Sequence, residues 1–272
     1  MSSLTARPHR YSLVIILLKI YFLITTITIM NTATLDKLRS MRLFGMHNAF
    51  EAMLHTAAQR DYTPDEMMAH LVQAEWDDRH NRRITRLIAQ AKFRYKADIT
   101  EVDYAQPRGL DKGMLQRLAG CDFIPKAQNI IIVGPTGVGK SFLGSALGHQ
   151  ACLLGYKTYY ANTYKLFSNL KKAKADGSYQ KIVRKIEKQQ VLILDDFGLK
   201  PMDAHARMAL MEIIEDRHQR CATIITTQLP IKHWHQVIGE STVADAILDR
   251  LVHSAHKINL KGESMRKKRG AK

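Results

Sequence analysis

Gly134-Pro135-Thr136-Gly137-Val138-Gly139-Lys140-Ser141 decides the reading of this chain. The pattern is Gly, four residues, then Gly-Lys-Ser, a phosphate-binding loop whose eight positions are all candidate nucleotide contacts. Each residue type has a physical task around a triphosphate. The glycines allow φ > 0 and a close backbone approach. The N–H groups of the loop then point inward around a β-phosphate. A helix that follows adds unpaired N–H groups and the positive end of its dipole. Lys140 brings a point charge to the β- and γ-phosphates, and the Ser141 hydroxyl offers a ligand to Mg²⁺. The flanks fit this task. Asn129-Ile130-Ile131-Ile132-Val133 is a short β-branched run suited to a buried parallel strand, and residues 142–154 carry a helix ending near Gly155.

A second run supplies the acids. Val191-Leu192-Ile193-Leu194-Asp195-Asp196 predicts a central strand that ends in two carboxylates. At the C-terminal edge of such a sheet, Asp195 can hold Mg²⁺ through water beside Ser141. Asp196 can accept a hydrogen bond from the attacking water and aim it at the γ-phosphate. A third run, Ala222-Thr223-Ile224-Ile225-Thr226-Thr227-Gln228, ends in polar residues. If its strand lies beside that of Asp195, Gln228 is the candidate amide for sensing water or phosphate; hydrogen bonding at a strand end is the plainer alternative.

Outward from these runs the chain alternates. Strands near Ile130, Thr158-Tyr159-Tyr160, 191–194, 223–227 and 257–260 are separated by helical stretches. That pattern predicts an α/β fold, a P-loop NTPase core with a five-stranded, mainly parallel sheet and helices on both faces. Upstream, residues 30–97 predict a small all-helical domain. Leu35, Leu38, Met41, Phe44, Met46, Phe50, Met53 and Leu54 form one apolar face running past Gly45. Thr63-Pro64-Asp65-Glu66 is a capping box with Pro at the first helical position. The helix it starts carries Met67, Leu71, Val72, Trp76, Ile84, Leu87 and Ile88 on one side. On the other it carries Arg79, Arg82, Arg83, Arg86, Lys92, Arg94 and Lys96. A one-signed stripe suits phosphate contact as well as it suits a solvated face. Residues 98–112, with Pro107 and Gly109, predict a linker; 113–265 the ATPase domain; and 266–272 a basic tail.

Residues 12–29 are almost wholly apolar, interrupted by Lys19 and several threonines and preceded by Arg7 and Arg10. A membrane anchor, a signal peptide and an extension upstream of a start at Met30 are the competing readings. No small-residue cleavage site follows, and the last is the most economical. The 272 residues carry a formal charge of +16, which calls for a polyanionic partner, nucleic acid before membrane. The three cysteines, Cys121, Cys152 and Cys221, form no Cys-x-x-Cys pair, so neither a disulfide framework nor a zinc ribbon is implied, as suits the reducing cytoplasm.

The loop, Leu-Asp-Asp-Phe-Gly at 194–198, Thr-Thr-Gln at 226–228, Leu248-Asp249-Arg250-Leu251-Val252-His253 and Lys261-Gly262-Glu263-Ser264-Met265-Arg266 together resemble IstB. IstB proteins are the ATP-binding helpers of insertion-sequence transposases, relatives of the helicase loader DnaC and members of the AAA+ ATPases. The resemblance spans residues 30–270. It implies an AAA+ core behind a helical N-terminal domain, ATP with Mg²⁺, hydrolysis, self-assembly on DNA, and the transposase as protein partner. Lys140 and Ser141 then match Walker A, Asp195 and Asp196 match Walker B, and Gln228 falls at sensor 1, where Asn is common. Arg250 matches an arginine finger that enters a neighbouring subunit's site, though an ordinary ion pair on a helix surface also fits it. Arg266 corresponds to a second sensor, but few residues follow the last strand and leave no room for a helical lid.

Lys171, Lys172, Lys174, Lys181, Arg184, Lys185 and Lys188 cluster between the second and third core strands and predict backbone contacts to DNA with little sequence preference. The leading expectation is a cytoplasmic, DNA-bound ATPase that assists a transposase in target capture. A DnaC-like helicase loader would share the core, and a membrane-anchored nucleotide switch would need residues 12–29 inserted.

Overall fold

Five strands are built from the apolar runs: β1 (Ile130–Val133), β2 (Thr158–Asn162), β3 (Val191–Phe197), β4 (Ala222–Thr227) and β5 (His256–Asn259). The computed structural model describes residues 9–56 and 62–265; Arg266 and the rest of the basic tail lie outside them. The strands form one sheet in the order β2-β3-β4-β1-β5, and every pairing is parallel. Parallel neighbours need crossovers, and helices supply them. Ten helices are described: α1 (His9–Ser40), α2 (Phe44–Thr56), α3 (Pro64–Ala91), α4 (Lys112–Ala119), α5 (Lys140–Leu153), α6 (Thr163–Ala175), α7 (Tyr179–Glu187), α8 (Ala204–Arg217), α9 (Trp234–Ile238) and α10 (Ser241–Val252).

Side chains alternate across each strand, so the sheet buries two cores. Ile131, Leu192, Leu194 and Ile225 face α6, α7, α8 and α10 through Leu170, Ile186, Leu210 and Ile247. Ile130, Ile132, Ile193 and Ile224 face α4 and α5 through Leu115, Leu143 and Leu147. Each such side chain contributes about 2 kcal/mol by leaving water. Because every pairing is parallel, the C-terminal ends of all five strands lie along a single rim.

The chain divides into two units, residues 1–82 and 83–272. In the first, α1 runs without Gly or Pro through residue 30, so the apolar stretch and the helix expected from Leu35 onward are one element. Its threonines are satisfied internally: Thr25, Thr26 and Thr28 Oγ1 donate to the carbonyls four residues earlier at 2.8, 2.8 and 2.9 Å. Residues 14–40 form a helix long and apolar enough to cross a membrane, with an 18-residue stretch of mean hydropathy 2.0. Arg42, at φ 59°, then ends α1. Leu43 N–H donates to Leu38 O and Arg42 N–H to Arg39 O, a Schellman motif without its usual glycine. That reversal breaks the continuous apolar face expected over 35–54.

The capping box starts α3 as expected. Glu66 Oε2 accepts from Thr63 N–H and Oγ1, and Glu66 N–H donates to Thr63 Oγ1. Trp76, expected on the apolar face, is 60% exposed and stacks on His80 instead. Glu75 is the buried group of this unit. It accepts from Gly45 N–H at 2.8 Å and Met46 N–H at 3.3 Å, the unpaired amides at the start of α2, and from Arg79 Nε at 2.5 Å. Arg82 pairs with Asp78 at 2.6 Å. Two arginines of the expected phosphate-contacting stripe are therefore committed within the chain.

In the second unit, residues 98–112 pack on the core. Asp98 caps a 3-10 turn (Ile99–Glu101), Val102 is buried, and Arg108 is 5% exposed.

Candidate nucleotide site

The phosphate loop leaves β1 at the C-terminal rim and returns into α5. Gly137 and Gly139 hold φ of 86° and 95°, the conformations the motif reserves for glycine. Val138 plugs its side chain into the core beside Leu260, fixing the arc from below. Lys140 opens α5, is 6% exposed, and donates from Nζ to Pro135 O at 2.8 Å. Ser141 Oγ donates to Asp195 Oδ1 at 2.7 Å. Thr136 Oγ1 donates to Gln228 Oε1 at 2.7 Å, which ties the loop to the end of β4.

The two acids would face opposite sides of a regular strand. β3 avoids this with one extra residue. Leu194 pairs with Ile225, but the next match is Phe197 with Thr227, so three steps on β3 oppose two on β4. Asp196 lies in that bulge at φ 57°. Its carboxylate is thereby turned to the side of Asp195. Asp195 is fully buried, and its oxygens accept from Ser141, Thr226 and Tyr160 hydroxyls. Asn162 Nδ2 donates to Asp196 Oδ2 at 3.1 Å. Burial, with the Asp195 carboxylate it bonds, raises the Tyr160 phenol far above its ordinary value, so it stays a neutral donor.

Two arginines missing from the sequence-based site stand here. Arg94 Nη1 lies 3.2 Å from Asp196 Oδ2 and 3.5 Å from Asp195 Oδ2. It is not part of the α3 stripe, because α3 stops at Ala91. Arg108 donates to Val138 O at 3.0 Å and Asp103 O at 2.8 Å, and burial pulls its pKa down, with Asp103 and Tyr104 opposing. Neither position carries a motif; only the pairing of β2, β3 and β4 and the path of 92–108 reveal them. A cavity of about 390 Å³ opens between Lys140, Ser141, Asp196, Gln228, Arg94 and Arg108. Its volume and its mix of cations, carboxylates and loop amides suit a nucleotide.

Arg250 is placed elsewhere. Asn129, just before β1, donates to the carbonyls of Arg250 and Leu251 at 3.1 and 3.2 Å, which sets the end of α10 at the N-terminal rim. Arg250 Nη2 pairs with Glu215 at 2.7 Å and lines a second cavity of about 370 Å³ there. It is not brought to the loop of its own chain. Among the lysines of α6 and α7, Lys171 pairs with Asp203 at 2.9 Å and Lys185 lies over the Tyr159 ring.

An all-parallel β2-β3-β4-β1-β5 sheet, with a phosphate loop after β1 and acids at the end of β3, defines a P-loop NTPase of the AAA+ type. The family model for IstB-like ATP-binding protein matches residues 36–272, so the chain belongs to that family. An insertion sequence ATP-binding protein of Sinorhizobium fredii is 45% identical over 234 residues, covering 86% of this chain and 96% of the relative. The insertion sequence IS21 ATP-binding protein of Pseudomonas aeruginosa is 31% identical over 80% of this chain and 82% of its own. Among solved structures, the DnaC helicase loader matches with TM-score 0.52 and 19% identity, over 62% of this chain and 99% of that one. The replication initiator DnaA bound to AMPPCP and single-stranded DNA matches with TM-score 0.52 and 14% identity, over 61% and 51%. These two likenesses concern the fold.

Proposed function

We propose that this protein hydrolyses ATP while assembled with further copies on DNA, and so assists the transposase of its insertion sequence in target capture. The observation that carries the reading is the convergence of Lys140, Ser141, Asp196 and Gln228 on one cavity from three separate segments, with the buried Asp195 bonded to Ser141 beneath it. Lys140 binds the β- and γ-phosphates. Ser141 Oγ and Asp195 Oδ1, 2.7 Å apart, are a hydroxyl and a carboxylate oxygen, the hard donors that suit Mg²⁺ arriving with ATP. That ion neutralises charge on the phosphates when bound. Asp196 orients water. Gln228, held by Thr136, reports whether the loop is closed on phosphate. Arg250 serves a neighbouring subunit, since it stands at the opposite rim from its own loop.

We assign hydrolysis to residues 113–265, with Arg94 and Arg108 reaching in from the segments before them, and partner recognition to the helical residues 30–97. The names of the relatives favour a transposase as partner over a helicase. The lysines of α6 and α7 suit a DNA backbone, and the cytoplasm suits both partners; the apolar stretch before residue 30 lies outside the matched family region. The test is phosphate release with and without duplex DNA. Lys140→Ala is expected to lose ATP binding, and Asp196→Asn to bind ATP and release no phosphate. DNA stimulation should fade steeply with salt. Hydrolysis that survives in Asp196→Asn, or that ignores DNA at every salt concentration, refutes the reading.

A further inference from the structure

α3 ends at Ala91, and the chain reverses at Lys92, whose φ is 57°. Phe93 then lies on the bare backbone of α5: a Cβ at Gly148 would stand 2.7 Å from Phe93 Cε1. Leu87, Ala91 and Cys152 bury themselves beside it. Because α5 begins with Lys140 and Ser141, this packing sets Arg94 in a fixed register with the phosphate loop. Its guanidinium touches both acids of β3, yet the side chain stays 44% exposed and opens into the cavity that Lys140 and Gln228 line.

Asp195 already accepts from three hydroxyls, so two anions compete for an arginine so placed. One is the Asp196 carboxylate. The other is the terminal phosphate of a nucleotide seated on the loop, because water oriented by Asp196 must attack there. A phosphate carries more charge than a carboxylate and offers three acceptor oxygens. We propose that Arg94 reads the γ-phosphate within its own chain: Asp196 and the γ-phosphate compete for its guanidinium, so ATP draws Arg94 away and leaves Asp196 to orient water, whereas ADP does not. This deepens, and rests on, the ATP-hydrolysing reading of the site. Arg94 is thus a positioning residue for Asp196, distinct from Arg250, which acts on another copy.

The test is equilibrium binding of fluorescent ATP and ADP analogues to the full chain, in Mg²⁺ and in EDTA. Arg94→Gln is expected to weaken ATP about tenfold and ADP by less than about twofold, the worth of one hydrogen bond between charged groups. Asp196→Asn removes the competitor and should tighten ATP, but not ADP, by several fold; that gain should vanish in the double variant. Equal losses for ATP and ADP in Arg94→Gln, or a gain that persists in the double variant, overturn the proposal. Should Arg94→Gln not fold, Asp196→Asn alone decides, and an unchanged ATP-to-ADP ratio overturns it. A wild-type protein that binds neither nucleotide overturns the site reading and this inference together. Wild-type ATP binding with unchanged discrimination in Arg94→Gln overturns this inference alone.

Discussion

Replacing Gly137 with Ala separates two costs that glycine avoids in the phosphate loop. The first is conformational: φ is 86°, and an L-residue with a Cβ pays about 1–2 kcal/mol to stay left-handed. The second is spatial. The new Cβ would stand 2.0 Å from Ser264 Oγ, 2.6 Å from Ser264 Cβ and 3.0 Å from Ser264 Cα. The hydroxyl can swing aside, but the Cβ contact is relieved only by moving the 264 backbone. That movement pulls Met265 N–H from Gly137 O, now 3.0 Å away. Overpacking costs about 1–3 kcal/mol and the hydrogen bond about 1 kcal/mol, for a total near 4 kcal/mol. At about 2–4 °C per kcal/mol, Tm should fall by roughly 10 °C. Gly177→Ala is the control: φ is 77°, and nothing lies within 4 Å of its Cβ, so only the first cost applies. Its Tm should fall by about 3 °C. Thermal unfolding followed by circular dichroism measures both, and Gly137→Ala should also lose nucleotide affinity, which Gly177→Ala should keep. Adding Ser264→Gly to Gly137→Ala should restore most of the difference. If Gly137→Ala proves no worse than Gly177→Ala, Ser264 and Met265 do not brace the loop.

In the first unit, helix propensity alone would make Gly45→Ala stabilising by about 1 kcal/mol. The Cβ would lie 2.3 Å from Ala74 O and 2.6 Å from Glu75 Cα, so a net loss of about 2 kcal/mol is expected, read as faster hydrogen exchange of the α2 amides; slower exchange refutes it. Glu75 gives the same helix a pH limit. Burial works to raise its pKa, but bonds from Arg79, Met46 and Gly45 outweigh this and hold it below the ordinary value. A depressed carboxyl stabilises above its unfolded pKa and stops doing so as pH falls through the folded one. Protection of the α2 amides should therefore drop below about pH 4 in the wild type and change less there in Glu75→Gln. Arg250→Ala should fold normally, since its pair with Glu215 is partly exposed and worth under about 1 kcal/mol. It should lose hydrolysis and recover part of it when mixed with Lys140→Ala; no recovery at any ratio counts against a role in a neighbouring site. Burial, then Asp122 and Cys152, raise the Cys121 thiol to about 12, and burial also raises Cys152. Ellman's reagent at pH 8 should find Cys221 accessible in the native protein and the other two only after denaturation.

What local chemistry sets was legible beforehand. The five strands lie within a few residues of the apolar runs, because β-branched side chains in short runs have few other ways to be buried on two faces. The capping box at 63–66 formed because both of its hydrogen bonds are local. The loop, Asp195, Asp196 and Gln228 meet because parallel strands joined by crossovers must end on the same rim. Helix ends were less legible. Arg42 and Lys92 both take left-handed conformations that usually mark glycine, so the ends of α1 and α3 left no trace in composition. That is why Arg94 read as one more member of a basic helical stripe.

The site's finer geometry depends on something no periodicity encodes: which residues of neighbouring strands are level. Asn162 is level with Asp195 across β2 and β3, which is why the residue that caps α6 also reaches Asp196. The single-residue bulge then decides the chemistry. Without it Asp196 would point away from Asp195, as alternate residues of a strand do, and would meet neither Arg94 nor the cavity. Two adjacent acids in a sequence are thus not yet a two-acid site. They become one here because β4 offers Thr226, whose hydroxyl accepts from Asp196 N–H at 3.2 Å and donates to Asp195. That one threonine satisfies an amide that the bulge removed from the ladder and orients the buried acid with the same oxygen. The bulge and Thr226 therefore form one device that sets the Asp196 carboxylate on the side of Asp195, where Arg94 and the cavity meet it.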